Sequence, residues 1–274
     1  MKLPAIKKQE PLPVEAGVSK LSRVEFQRIP GAALLKEPAH FWDEIFISNE
    51  AYMLTQVAHP RVRKKLAYEA ASHRLFLEYI EARTLSELVR EGATVRDQRR
   101  THAILQSVAE TMADLHAGIF CDRPIVHNDL KSMNVLVPVA APDESVLIDF
   151  SHSYFRDNLP PFITDKHEDR VGTAKYMAPE KWDRDFTHGP KSDVFSFGVM
   201  AYYAHTGRHP FDGDATQIEH QIREMTPPSP LELGTNVIRS TVVTIMSCLE
   251  KKPGKRPTME TVARSYEESA SVLR

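Results

Sequence analysis

The sequence predicts an α+β chain in two lobes, a small β-rich one followed by a larger and mostly helical one. Short β-type runs crowd the first third of the chain: Val24-Glu25-Phe26, Ala33-Leu34-Leu35-Lys36 and Leu75-Phe76-Leu77-Glu78-Tyr79-Ile80. One helical segment lies among them, and beyond Ile80 the apolar spacing turns helical and stays so. Strands first and helices afterwards suggest two segregated layers, with Glu78–Arg83 as the join.

Each element follows from local chemistry. Residues 1–13 are rich in Lys and Pro and are expected to form a loose lead-in, so the small lobe is read as 14–80 and the large lobe as 81–274. The helical segment, Ala39 to Ala58, carries Ile45, Met53, Leu54 and Val57 at helix-compatible intervals. His59-Pro60 ends it, because the residue before a proline is pushed out of the helical region. Thr84-Leu85-Ser86-Glu87 has the spacing of a capping box. A longer helix is predicted from Arg96 to Ala117, with Ile104, Val108, Met112 and Leu115 on one stripe. Loops and short strands fill 120–165, and helical segments return at Lys191–Thr206, Thr216–Met225, Val237–Leu249 and Met259–Val272.

Composition narrows the function classes. The chain has 274 residues, 42% hydrophobic and 26% charged, which is ordinary globular usage with material for a substantial core. A net charge of −2, from 35 basic and 37 acidic side chains, gives no overall field to gather nucleic acid or an anionic membrane. No apolar run approaches the roughly 20 residues needed to cross a bilayer. Met1-Lys2-Leu3-Pro4 has no apolar core behind it, so no secretory leader is expected and the cytoplasm is the expected location. Cys121 and Cys248 are in no metal-ligand spacing and are expected as reduced thiols.

The strongest chemical signal is Val126-His127-Asn128-Asp129-Leu130-Lys131-Ser132-Met133-Asn134-Val135-Leu136. Phosphoryl transfer needs an acceptor for the attacking hydroxyl's proton, a cation near the moving phosphate and an oxygen ligand for magnesium. Asp129, Lys131 and Asn134 supply these in order. Fifteen residues beyond Asn134, the apolar run Ser145-Val146-Leu147-Ile148 ends in Asp149, a second oxygen ligand. A hairpin with Pro138–Glu144 as its turn would bring Asn134 and Asp149 together.

These residues resemble the eukaryotic-type protein kinase family. His127-x-Asp129-Leu130-Lys131-x-x-Asn134 is similar to its catalytic loop, and Asp149-Phe150-Ser151 to its magnesium-binding triplet. Gly172-Thr173-Ala174-Lys175-Tyr176-Met177-Ala178-Pro179-Glu180 looks like the end of the activation segment. Ser192-Asp193-Val194-Phe195-Ser196-Phe197-Gly198-Val199 resembles the central helix of the large lobe, and Arg256-Pro257-Thr258 the late arginine motif that pairs with the Glu180 position. Five motifs in family order are far more specific than one. The resemblance implies a bilobal kinase fold over about 14–270, ATP with Mg2+ (or Mn2+ in its place), and a protein substrate.

For the small lobe it implies that Lys36 meets the α- and β-phosphates and that Glu50 is its helix partner, with Glu44 the weaker candidate. Leu77 falls at the gatekeeper position, and the Glu78 carbonyl and Ile80 amide would bond adenine. The best match to the phosphate-covering loop is Gly17-Val18-Ser19-Lys20-Leu21-Ser22-Arg23-Val24, which makes Gly17, Ser19, Ser22 and Val24 the expected phosphate-loop contacts. Two of the family's glycines are serines there, which restricts φ. Asn128 stands where the family carries an arginine that receives a phosphorylated loop residue, so activity is expected not to require that phosphate. Ser151 replaces a glycine after Asp149-Phe150 and is expected to stiffen the triplet.

The leading reading is a serine/threonine kinase working by direct in-line transfer, with Lys131 and Thr173 as the Ser/Thr-type choices. His127, Asp193 and Arg256 are read as structural, and hydroxyls between Ser151 and Thr164 as candidates for self-phosphorylation. Two alternatives compete. A pseudokinase would be a nucleotide-binding interaction module; the altered phosphate loop, Asn128 and Ser151 favour it, while Lys36, Glu50, Asp129, Asn134 and Asp149 oppose it. A small-molecule phosphotransferase would share the core without a segment like Gly172–Glu180.

Overall fold

The computed structural model describes residues 4–13, 19–27, 30–158, 174–183, 189–214 and 217–273. The small lobe is built on a five-stranded antiparallel sheet in the order β1-β2-β3-β5-β4. Its strands are β1 (Ile6–Pro11), β2 (Ser19–Phe26), β3 (Ala32–Pro38), β4 (Lys65–Glu69) and β5 (Arg74–Glu78). The expected loose lead-in therefore contains an edge strand, which pairs along β2 from Ile6 opposite Phe26 to Pro11 opposite Ser22. Its reason is packing: Ile6 lies against a small apolar cluster of Val24, Phe26, Ala33, Leu35 and Phe76 on one face of the sheet.

The opposite face of the sheet carries α1 (Asp43–Gln56), shorter than predicted at both ends. The Asp43 carboxylate accepts from the amides of Ala39 and His40 at 2.7 and 3.0 Å, which folds those residues back as a turn ahead of the helix instead of into it. Ile47, Ala51, Met53 and Leu54 are its buried apolar positions. Ile45, expected among them, is 39% exposed, because the apolar spacing of this helix is too irregular to fix its inner face.

Beyond the join come β6 (Ala82–Thr84), α2 (Leu85–Arg90), the single turn α3 (Ala93–Arg96) and α4 (Gln98–Ala117). The capping box forms as expected: the Glu87 amide donates to Thr84 Oγ1 at 3.1 Å and the Thr84 amide to Glu87 Oε2 at 2.7 Å. The α4 stripe of Ile104, Val108, Met112 and Leu115 is fully buried. Short strands follow: β7 (Ile125–Val126), β8 (Val135–Pro138), β9 (Val146–Leu147) and β10 (Tyr154–Phe155). β8 and β9 form the predicted hairpin, with Val135 opposite Leu147. The lobes are also stitched beside it, the Arg63 amide bonding the Leu147 carbonyl and the Leu147 amide the Arg61 carbonyl.

The remaining α-helices among the described residues are α5 (Pro190–Thr206), α6 (Ile218–Glu224), α7 (Arg239–Cys248) and α8 (Met259–Ala270). α5 is buried on nearly every side and forms the axis of the large lobe. Gly198 permits this, since a Cβ there would sit 2.7 Å from Cys248 Cβ on α7. Cys121 and Cys248 are both free thiols. No helix among the described residues is long and apolar enough to cross a membrane.

Candidate active site

The cleft between the lobes gathers polar side chains from both. On β3, Lys36 is flanked by residues that alternate between faces, and it turns toward α1. Its Nζ donates to Glu50 Oε2 at 2.7 Å and to Asp149 Oδ1 at 3.1 Å, which brings β3, α1 and the segment after β9 to one point. Glu50 is 2% exposed, a burial that a carboxylate tolerates only when paired. Burial alone would lower the pKa of Lys36, but the carboxylates of Asp149 and Glu50 outweigh it and hold the ammonium charged. Burial would likewise raise that of Asp149; Lys36 overrides this and keeps it well below the usual carboxylate range. Glu44, the alternative partner, is engaged elsewhere, 3.5 Å from His73.

The loop after β7 is fixed from below by α5. Asp193, fully buried, accepts from the amides of His127 and Asn128 at 2.8 Å each and bonds His116 Nε2 at 3.0 Å. Burial pushes the Asp193 carboxyl up, yet the bond from His116 outweighs it and the carboxyl stays below its ordinary value. The His127 ring packs on Phe150 at 4.8 Å between centroids and meets the Ile148 carbonyl at 3.3 Å. Thus held, the loop presents Asp129, whose Oδ2 accepts from Lys131 Nζ at 2.8 Å and from Asn134 Nδ2 at 3.1 Å. Asn134 Nδ2 also donates to the Asp129 carbonyl at 2.8 Å. With its amide nitrogen committed, Asn134 leaves its Oδ1 without a donor among the described residues, as a cation ligand requires.

Asp129, Lys131 and Asn134 therefore form one hydrogen-bonded set, and Lys36, Glu50 and Asp149 another. Asp149 has φ 63°, a left-handed conformation uncommon for a residue with a side chain and typical of functional turns. Its neighbours are restrained by Asn49, whose Nδ2 donates to the carbonyls of Ser151 and Ser153 at 2.9 Å each. Glu180 and Arg256 join through two 2.7 Å bonds. His127, Asp193 and Arg256 act on the loop and lobe, as the sequence suggested.

The phosphate-facing strand needs a correction. Directly opposed residues of an antiparallel pair share a face. Leu21 stands opposite Lys36 and Ser19 opposite Pro38, so both lie on the cleft side of β2. Ser22 opposes Leu35 and Val24 opposes Ala33, which puts them on the other face. The Ser22 hydroxyl accepts from Gln9 Nε2 at 3.1 Å, and Val24 is wholly buried in the outer cluster. Neither faces the side of the sheet that carries Lys36, so the predicted phosphate-loop residues do not share one face of the strand. Gly17 and Thr173 fall outside the described residues. Leu77 opposes Leu34 and is 2% exposed; Glu78 ends β5 opposite Ala33. Among the described residues the Ile80 amide finds no backbone acceptor.

Three contributors escaped the sequence reading. Leu21 was findable from hairpin pairing with Lys36. Asn49 and Lys181, whose Nζ donates to the Asn128 carbonyl at 2.8 Å, were not, since each reads as an ordinary surface residue beside a motif glutamate.

The family described as protein kinase domain matches residues 34–266. Over 76% of its length the chain is 30% identical to the serine/threonine-protein kinase pkn2 of Myxococcus xanthus, of which it covers 25%. It is likewise 30% identical, over 79% of its length, to the serine/threonine-protein kinase PkaA of Streptomyces coelicolor, covering 38% of that protein. The chain thus spans well under half the length of these relatives.

Proposed function

The chain belongs to the protein kinase family, as a kinase domain of the serine/threonine type, and from that premise we propose that it is catalytically active, transferring the γ-phosphate of ATP directly to a serine or threonine hydroxyl of a protein. The observation that carries this is Lys36, bonded at once to Glu50 and Asp149 at 2.7 and 3.1 Å, which supports a cleft assembled for phosphates.

Asp129 orients the incoming hydroxyl and takes its proton late in the transfer. Asn134 Oδ1 and the Asp149 carboxylate are the oxygen ligands suited to a hard divalent cation. A divalent cation such as Mg2+ held by these two residues would supply charge neutralisation for the phosphates. Lys36 steadies the α- and β-phosphates, and Lys131, released from Asp129 or shared with it, offsets charge on the transferred group. Glu50 keeps Lys36 in place and takes no part in bond-making.

The binding-module alternative draws on the two serines of the phosphate loop, on Asn128 and on Ser151. Ser22 lies away from the cleft and Asn128 is fully hydrogen-bonded, so two of those departures lend it no support. The test is incubation with labelled ATP, Mg2+ and a basic protein, beside Asp129→Asn and Lys36→Ala. Hydroxyl phosphorylation by the parent that both variants and EDTA abolish is the expected result. A parent that binds Mg2+-ATP and transfers nothing, across several protein substrates, would hand the case to the binding module.

A further inference from the structure

Asn128 occupies the position before Asp129, in a left-handed conformation with φ 68°. Asparagine tolerates that region better than most side chains. Every polar group it owns is bonded. Its amide donates to Asp193 Oδ1 at 2.8 Å, and its Nδ2 to the His152 carbonyl at 3.2 Å. Its carbonyl oxygen and its Oδ1 both accept from one donor, Lys181 Nζ, at 2.8 and 2.5 Å.

Lys181 comes from a different part of the chain, the 3-10 turn Pro179–Trp182. The residue before it, Glu180, is clamped by Arg256 through two bonds, so the root of the lysine is fixed as well as its tip. Its stem is half-buried and its ammonium turns inward. Burial draws its pKa down, while the carboxylates of Asp193, Asp129 and Glu180 oppose the change. A hydrogen bond from an ammonium is roughly twice as strong as one between neutral groups. Two from the same nitrogen fix both the main chain and the side chain of Asn128.

We propose that Lys181 is a positioning residue: it holds the catalytic loop at Asn128 in the geometry that Asp129 needs, and couples that loop to the substrate-side turn Pro179–Trp182 and, through Asn128 Nδ2, to the segment after Asp149. The proposal rests on the kinase reading for its catalytic consequence and on the hydrogen bonds alone for its structural one. The Asp129 carboxylate is reached from the same backbone: the amides on one side are held by Asp193, and the carbonyl on the other by Lys181. Removing the second hold leaves the peptide between Asn128 and Asp129 restrained only by the long 3.4 Å bond from the Asp129 amide to His127 Nδ1. An arginine at 128 would keep the carbonyl acceptor but offer Lys181 no side-chain acceptor and set a like charge beside it, so the residues at 128 and 181 are matched as a pair.

Lys181→Met keeps the stem and removes the donor, and Lys181→Arg keeps a donor. Two readouts separate the possibilities: amide hydrogen exchange over residues 125–134 without nucleotide, and kcat against KM for ATP. We expect the Met variant to exchange faster in this loop and to lose about tenfold or more in kcat, with KM for ATP within about twofold of the parent, as misplacement of a reacting group predicts. Lys181→Arg is expected to recover most of both. A Met variant with the parent's loop protection overturns the proposal, as does one in which protection falls uniformly across the large lobe. A parent without transfer activity sinks the kinase reading, and the exchange of the loop still decides the role of Lys181.

Discussion

In the large lobe the reacting side chains other than Asp149 come from one short run, Asp129 to Asn134, and are held by bonds from elements far away in sequence, Asp193 on α5 and Lys181 beside Glu180. In the small lobe Lys36, Glu50 and the cleft-side residues of β2 come from separate elements, and strand register decides which strand residues look into the cleft. A change to one side chain of the large-lobe loop leaves its neighbours' bonds as a restraint. A one-residue slip in the small-lobe hairpin would send the entire β2 set to the other face. The first arrangement concentrates function in a motif; the second spreads it over a pairing pattern.

The largest effect that sharpens this contrast is at Asp129. Asp129→Asn keeps size and most hydrogen bonds while removing the proton acceptor, and should lower kcat by about 10²–10⁴-fold. Nucleotide affinity should stay close to the parent's, because the small lobe is untouched. A matching loss of Mg2+-ATP binding, measured by calorimetry, would mean that the two halves are not separately held.

The large lobe's restraint can next be tested away from the chemistry. Arg256 is 2% exposed and gives Glu180 two bonds while also donating to the carbonyls of Glu250, Lys191 and Lys251. Arg256→Met leaves the Glu180 carboxylate without its ion pair, with only the Ser192 hydroxyl donating to it, and those carbonyls short of a donor, at a cost of about 3–5 kcal/mol of stability. Denaturant unfolding followed at the two tryptophans, Trp42 and Trp182, measures it; a cost under about 1 kcal/mol would show that the pair is solvated.

The same contrast explains what was legible in the sequence. The α4 stripe, the capping box at Thr84 and the Asn134–Asp149 hairpin were readable because each is a local pattern whose period or spacing fixes the geometry. The large-lobe motifs were readable because their residues are contiguous. Strand β1 was missed because Ile6 alone marks its packing and the Lys and Pro around it read as a tail. Ser22 and Val24 are not placed by the sequence because a loop that keeps one glycine, Gly17, offers little anchor for register, and parity with Lys36 is visible only once β2 and β3 are paired. Asn49 and Lys181 gain their roles from carbonyls distant in sequence, which no local pattern displays.

Register gives a paired prediction of smaller size. Val24→Ala removes buried methyl groups from the outer cluster and should cost about 1–3 kcal/mol of stability with KM for ATP unchanged. Leu21→Ala, on the Lys36 face and half-buried, should weaken ATP by about 1 kcal/mol, roughly fivefold in KM, with little loss of stability. The reverse result, with KM responding to residue 24 and stability to residue 21, would break the register assignment.

The smallest expected effect is a null that separates this cleft from one completed by modification. Asn128 carries no charge to receive a phosphate, and its acceptors are already filled by Lys181, a cation supplied by the chain itself. Treating the active protein with a phosphatase should therefore change turnover by less than about twofold, since no new charge-assisted pair at Asn128 depends on a phosphate. A large loss that self-phosphorylation reverses would show that another cation receives a phosphate and that the bonds from Lys181 and Asp193 do not suffice to hold Asp129. The large lobe would then resemble the small one, its reacting geometry depending on a pairing made elsewhere.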